Sequence, residues 1–341
     1  MEIQTNKIKQ TKSAIDIAKF FFCICIIALH THVADALPAE GRYWLMALVI
    51  RQAVPFFFVA SGYFLGKKLM ASPKEESSKI TLGYCKRLTI PLLFWEFLNL
   101  ILHFVLDVHG GESMSIVLKK SLHTMFFYPY GGLWFVQACI VGAILLLPFI
   151  RYCKLNVAIV IGLLLYGFAL LCNNYYFLVE GTFIQPVVDN YMTLCTTARN
   201  GLFTGFISMA VGMKCSEIEK KITGVHPLFC VLSFILFVLE CYFLKDRNTI
   251  DDHALYISHL FILPTLLLLL LKSNFSLKYE ISLSLRNLSV GMFFLHSLIN
   301  NTLSVAVGFG IIRFIFTCII AYGICIFCYK THFLKLDNLL R

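Results

Sequence analysis

Asp16, Lys19 and His30 interrupt the stretch "AIDIAKFFFCICIIALHTH" (residues 14–32), which is otherwise almost wholly apolar. The lysine precedes the histidine by eleven positions, a rotation of roughly 1100° on an α-helix. That is close to three full turns, so the two share a face about 16 Å apart along the axis. Asp16 lies one turn below Lys19. Ionisable groups inside apolar helices are costly and usually face a cavity or a partner. A neutral imidazole in such a confined place can take a proton from a hydroxyl, which is general-base chemistry. The blander reading has Asp16 and Lys19 snorkelling to an interface while His30 hydrogen-bonds inside a bundle. His32 completes an H-x-H pattern, but residues two apart on a helix point in different directions. No metal site is expected there.

Other polar groups fall inside apolar runs. Arg51 lies several residues into the second run, at a depth comparable with His30, where it could pair with an acid or orient an oxyanion. Glu96, in the third, needs a partner. Arg199 opens the sixth, and His296 sits inside the ninth.

The elements that must position these groups are helices in a bilayer. Of 341 residues 59% are hydrophobic and only 14% charged, with a mean hydropathy of +0.79. A soluble chain of this length would need more polar surface. Apolar runs at 14–35, 43–66, 84–107, 132–150, 155–177, 199–213, 226–244, 255–272, 285–303 and 310–329 approach or exceed the length needed to cross a bilayer. The expected fold is all-α: a polytopic membrane bundle of about ten transmembrane helices forming one domain, 1–341.

The formal net charge is +10, but the basic residues occupy short connections between apolar runs. That pattern is a topology signal rather than a nucleic-acid stripe. Lysines and arginines gather at the N-terminus (Lys7, Lys9, Lys12), in alternate connections (Lys67, Lys68, Lys86, Arg87, Lys220, Lys221) and at the C-terminus (Lys335, Arg341). The positive-inside rule places both termini in the cytoplasm, and the even number of runs agrees. On the other side, residues 108–131 and 178–198 are expected as longer loops framing an entrance. Most of the thirteen cysteines fall inside apolar runs, where cysteine packs as a small apolar residue, and neither a disulfide framework nor a zinc site is expected. The first run is expected to be an uncleaved helix rather than a secretory signal, because Asp16 and Lys19 interrupt it.

Several segments together resemble the membrane acyltransferase-3 family, which includes sugar and peptidoglycan O-acetyltransferases. Asp16, Lys19 and His30 match the spacing of the family's opening acid, arginine and histidine. "VPFFFVASGYFLGKK" (54–68) looks like its PxFFxxSGYLL segment, and "CKRLTIPLLFW" (85–95) like the start of its third helix. "GGLWFVQACI" (131–140), centred on Trp134, is similar to its LWFL element, and "NLSVGMFFLHSLI" (287–299) to its late S-x-x-x-YLxH segment. "ARNGLFTGFISMAVG" (198–212) resembles a subset related to the membrane half of vancomycin-resistance serine racemases. The matches span most of the chain in the expected order. Where the family has arginine this chain has Lys19, which keeps the charge but not the planar fork.

The resemblance implies transfer of an acyl group, usually acetyl from acetyl-CoA, to a hydroxyl of a cell-envelope carbohydrate or glycolipid, by a multi-pass protein of a bacterial cytoplasmic membrane. In that layout Lys67, Lys68, Lys86 and Arg87 would meet the CoA phosphates. Asp16 and Lys19 would line the donor passage, and His30 would meet the thioester and deprotonate the acceptor, directly or through an acyl-histidine. Arg51, Glu96, Trp134, Arg199 and His296 would bind the acceptor. Two rivals are a transporter of a small polar solute such as an amino acid, and a non-catalytic partner in polymer export.

Overall fold

The structure is a computed structural model that describes residues 12–247 and 253–332, together with Leu339. Lys7, Lys9, Lys335 and Arg341, used above to read sidedness, lie outside the described residues. Among the described residues the chain forms helices and no strand. In order they are α1 (Ser13–His30), α2 (Ala39–Leu48), α3 (Ala53–Met70), α4 (Ser77–His109), α5 (Met114–Phe127), α6 (Leu133–Tyr152) and α7 (Leu155–Leu171). There follow α8 (Gln185–Cys195), α9 (Phe206–Glu219), α10 (Pro227–Leu244), α11 (His259–Lys272), α12 (Tyr279–Leu303) and α13 (Ile311–Thr331).

Among the described residues six segments are long and apolar enough to cross a membrane: Ser13–His30, Ala39–Met70, Lys74–His109, Met114–Tyr152, Pro227–Leu244 and Ile311–Thr331. The sequence led us to expect ten. The other four expected segments are helical too, but each is short or polar. The 17 residues of α7 and 14 of α11 rise only about 26 and 21 Å, less than the roughly 30 Å of a hydrocarbon core. The helix α9 also has 14 residues, and α12 carries Glu280, Arg286, Asn287, His296, Asn300 and Asn301. The outward faces of α4, α10 and α13 are lined by large exposed apolar side chains, among them Leu93, Phe97, Ile101, Ile235, Leu239, Ile315 and Ile319. Such faces suit lipid and not water.

Three boundaries differ from expectation. The run 43–66 is two helices joined by a 3-10 turn at Ile50–Gln52. Pro55, with no N–H to donate, sits in the first turn of α3, where that donor is not needed. Residues 108–131, expected as a loop, hold α5, which ends just before Pro129. The expected loop 178–198 contains α8, with Pro186 in its first turn.

At the centre α3 packs closely on α9, and α1 runs along α12. The α3–α9 approach depends on having no side chain at the contact: a Cβ on Gly62 would lie 2.2 Å from the Met209 carbonyl oxygen, and one on Gly212 2.0 Å from that of Val59. The main core, drawn from α1, α3, α11, α12 and α13, includes Ile15, Ile27, Phe56, Tyr63, Leu267, Met292 and Cys325. This rigid packing fixes both ends of α1.

Candidate active site

His30 is the last residue of α1 and is half-buried. The end of the helix is held beneath it: Thr31 returns its N–H to Ile27 O at 3.0 Å and its hydroxyl to the same oxygen at 2.8 Å. Asn300 of α12 donates to His30 O at 3.1 Å. The His30 ring faces that of His296, with centroids 5.1 Å apart.

His296 is fully buried, and its Nδ1 lies 2.5 Å from Phe293 O. A carbonyl can only accept, so Nδ1 carries the proton and Nε2 presents its lone pair. Among the described residues that Nε2 has no hydrogen-bond partner.

Opposite the two rings runs the turn Pro129–Gly132, which feeds into α6. Gly131 and Gly132 take φ values of +57° and +85°, a region that favours glycine. A Cβ on Gly131 would lie 1.7 Å from Ser297 Oγ. A Cβ on Gly132 would lie 3.6 Å from His30 Nε2 and 3.8 Å from His296 Cε1. Glu96, 4% exposed, braces this turn by accepting the Tyr130 N–H at 3.1 and 3.4 Å. His103 stacks on the Tyr130 ring at 3.8 Å, and Asn99 accepts the Ser297 hydroxyl at 3.1 Å.

A cavity of about 280 Å³ opens beside these groups. His30, Arg51, Gly132, Trp134, Arg199 and His259 line it, with apolar neighbours such as Leu29, Val54, Leu260 and Phe293. Arg51 comes from the 3-10 turn between α2 and α3 rather than from inside a continuous helix. Arg199 sits just before Asn200, which caps a π-helical turn at Gly201–Gly205, with its Nε 3.3 Å from Thr197 Oγ1 and its guanidinium 5.9 Å from the Trp134 ring centroid. Trp134 stacks in turn on Tyr128 at 5.9 Å.

Of the sequence candidates, the fold brings His30, Arg51, Trp134 and Arg199 to one cavity, with His296 directly behind His30. Glu96 stands outside the cavity lining, behind the turn it braces. Asp16 and Lys19 lie toward the other end of α1. There Asp16, 2% exposed, is gripped by Arg286 of α12, with Nε–Oδ1 and Nη2–Oδ2 both 2.9 Å. The Ser282 hydroxyl adds a third bond to Asp16 at 2.6 Å. The Lys19 ammonium sits 4.4 Å from the centroid of the Phe64 ring. Lys86 and Arg87 are exposed on α4 and do not line the cavity.

Sequence reasoning missed Arg286 as the partner of Asp16 and missed His259 altogether. The second had a usable signal: a histidine inside the apolar run 255–272, the same kind of interruption that drew attention to His30.

No solved structure matches this chain. It is 23% identical over 306 residues to an amino-acid racemase of Enterococcus faecalis, covering 85% of this chain and 41% of that protein. It is 24% identical over 249 residues to a serine/alanine racemase of Enterococcus gallinarum, covering 71% of this chain and 35% of the other. The chain thus spans less than half the length of these relatives. Residues 12–330, nearly the whole chain, match the acyltransferase domain of the acyltransferase-3 family, and the protein belongs to that family.

Proposed function

We propose that this membrane protein transfers an acyl group, acetyl from acetyl-CoA, to a hydroxyl of a cell-envelope glycan or glycolipid, with His30 as the base. The observation that carries the reading is the His30 ring at the cavity wall, its Nε2 turned toward the open turn at Gly132. Membership of the acyltransferase-3 family supports the class of reaction.

In the direct form, His30 Nε2 accepts the proton of the acceptor hydroxyl while its oxygen attacks the thioester carbon. The new C–O bond forms, the C–S bond breaks, and the departing thiolate takes up the proton as CoA thiol. Arg51 and Arg199, both at the cavity, supply charge for the oxygen that becomes negative in the tetrahedral intermediate. His296, anchored through Nδ1, holds the His30 ring from behind.

The donor enters from the side of α1 that holds Asp16 and Lys19. Lys19 would lie along the pantetheine arm, and the basic residues Lys67, Lys68, Lys86 and Arg87 would meet the phosphates. In this reading that side is cytoplasmic and the chain crosses a bacterial inner membrane about ten times. Impermeant-reagent labelling of single cysteines placed in 72–76 should succeed only after the membrane is opened. Labelling from outside intact cells would reverse the orientation and remove the donor route.

The experiment for the function itself is the mass of the purified envelope polymer from cells with and without the protein. Loss of the mass increments that acetylation adds is expected in its absence and on replacement by His30→Ala. Identical polymer masses in all three would count against acyl transfer to the envelope.

A further inference from the structure

His259 is a cavity residue to which the chemistry above gives no task. It opens α11, is 4% exposed, and lines the cavity beside Tyr166, Ser208 and Leu260. The rings of Phe237 and Tyr256 lie against it, with centroids 5.8 and 5.1 Å away. Neither of its ring nitrogens has a hydrogen-bond partner among the described residues.

The hydroxyls of Tyr256 and Ser258 beside it also lack a partner among the described residues, but neither residue lines the cavity, and two other nearby polar groups are bonded within the protein. His296 is bonded to Phe293 O, and the Tyr166 hydroxyl donates to Tyr256 O at 2.8 Å. Every form of imidazole carries at least one N–H, and the neutral form also a lone pair. Burying both without a partner costs stability, and an apolar side chain in the same place would avoid that cost. A group left in this condition at a cavity wall is matched to a ligand rather than to the fold.

We infer that His259 binds the acceptor through a second hydroxyl, distinct from the one acylated at His30, and so determines which hydroxyl reacts. This rests on the acyl-transfer reading above. A neutral imidazole offers one donor and one acceptor, and a hydroxyl is its complement on both counts. The cavity, about 280 Å³, lies just below the range of ligand pockets, which run from about 300 to 1,000 Å³. It suits one ring-sized unit rather than a length of polymer. His30 comes from α1 and His259 from α11, so a polyhydroxylated ring held between them has a fixed orientation. The acceptor class is therefore a polyol ring, and His259 is a specificity residue rather than a catalytic one.

The test uses the purified full chain in nanodiscs with acetyl-CoA. The probes are methyl N-acetyl-β-glucosaminide and its 3-, 4- and 6-deoxy analogues, with the acylated position read by NMR. Wild type should acylate one position, and removal of one other hydroxyl should raise the acceptor KM about 3- to 10-fold. His259→Leu should raise the KM for the parent sugar by the same factor and abolish the penalty for that one analogue. It should also spread acylation over more than one position, while the KM for acetyl-CoA moves less than about twofold. His259→Gln, which keeps a donor and an acceptor, should restore part of the selectivity. His259→Leu should melt no lower than wild type.

A His259→Leu variant with unchanged acceptor KM and a single product position overturns the inference. So does one that melts lower with no change in selectivity, which would mark a packing residue. If wild type hydrolyses acetyl-CoA through His30 but acylates none of the sugars, the polyol assignment fails and the thioester chemistry stands. If it consumes no acetyl-CoA at all, the acyl-transfer reading fails and this inference falls with it.

Discussion

The two ends of α1 begin from the same signal, a polar residue inside an apolar run, and meet opposite fates. At the Ser13 end the bonding capacity of Asp16 is taken up by Arg286 and Ser282, and Lys19 rests on the face of Phe64. At the His30 end the capacity is left over: His296 Nε2 and both nitrogens of His259 have no protein partner among the described residues. Buried polar groups are normally satisfied, so unspent capacity at a cavity is the more informative observation. A charge in an apolar helix signals only that something must meet it, and the fold shows whether that something is already part of the protein. The Asp16 pairing therefore reads as structure that holds α1 against α12, while the other end keeps bonding capacity for a ligand.

Four substitutions would sharpen or break this contrast. His30→Ala should lower acyl transfer by about 10²- to 10⁴-fold, the usual worth of a general base. Its melting temperature should stay near that of wild type, as read by thermal denaturation in detergent. Equal turnover would remove His30 from the chemistry.

Gly131→Ala comes next, because its Cβ would collide with Ser297 Oγ at a positive φ. A displacement of the turn by about 1 Å should reduce transfer on the order of 10²-fold. A partial rescue by Ser297→Gly in the same background, which removes the Cβ at 2.1 Å as well as the hydroxyl, would tie that loss to the collision. Unaltered transfer in the single variant would separate the turn from the site.

Asp16→Asn should act mainly on stability. Asn keeps one acceptor oxygen, so the change removes one of the two Arg286 bonds and the charge from the other, a loss of roughly 1.5–3 kcal/mol. The larger costs seen for fully buried pairs do not apply, since the Arg286 side chain is 44% exposed. Denaturation and turnover should be measured together. A variant that melts like wild type but has lost all transfer would erase the difference between the two ends.

The smallest effect is expected at Lys19. Lys19→Met should cost about 0.5–1 kcal/mol of stability from the lost contact with Phe64. It should raise the KM for acetyl-CoA more than that for the acceptor, and the gap should narrow at high salt. An unchanged acetyl-CoA KM would make Lys19 a purely structural charge.

Much of this arrangement was legible from one-dimensional pattern. Lys19 and His30 fall on one helix because an apolar run of that length has few alternatives, and Arg51, Trp134 and Arg199 do reach the cavity that His30 lines. The pairing of Asp16 with Arg286 was not legible, because it joins residues 270 positions apart through the packing of α1 on α12. The break at Ile50–Gln52 lies one turn before Pro55, a signal the sequence offered, but the continuous apolar character of 43–66 masked it. The helix α5 was taken for a loop because Gly110, Gly111 and Pro129 flank it on both sides. The role of Glu96 under Tyr130 depends on where a turn 34 residues away comes to rest, which no local spacing encodes.

The most direct test of the account is transfer of radiolabelled acetyl from acetyl-CoA to envelope glycan by the purified chain in liposomes. Wild type and His30→Ala would be compared at saturating donor. The account predicts label in the glycan with wild type and only background with His30→Ala, although both bind acetyl-CoA with similar affinity. Equal labelling by the two proteins, or none by wild type with its acceptor present, would contradict it.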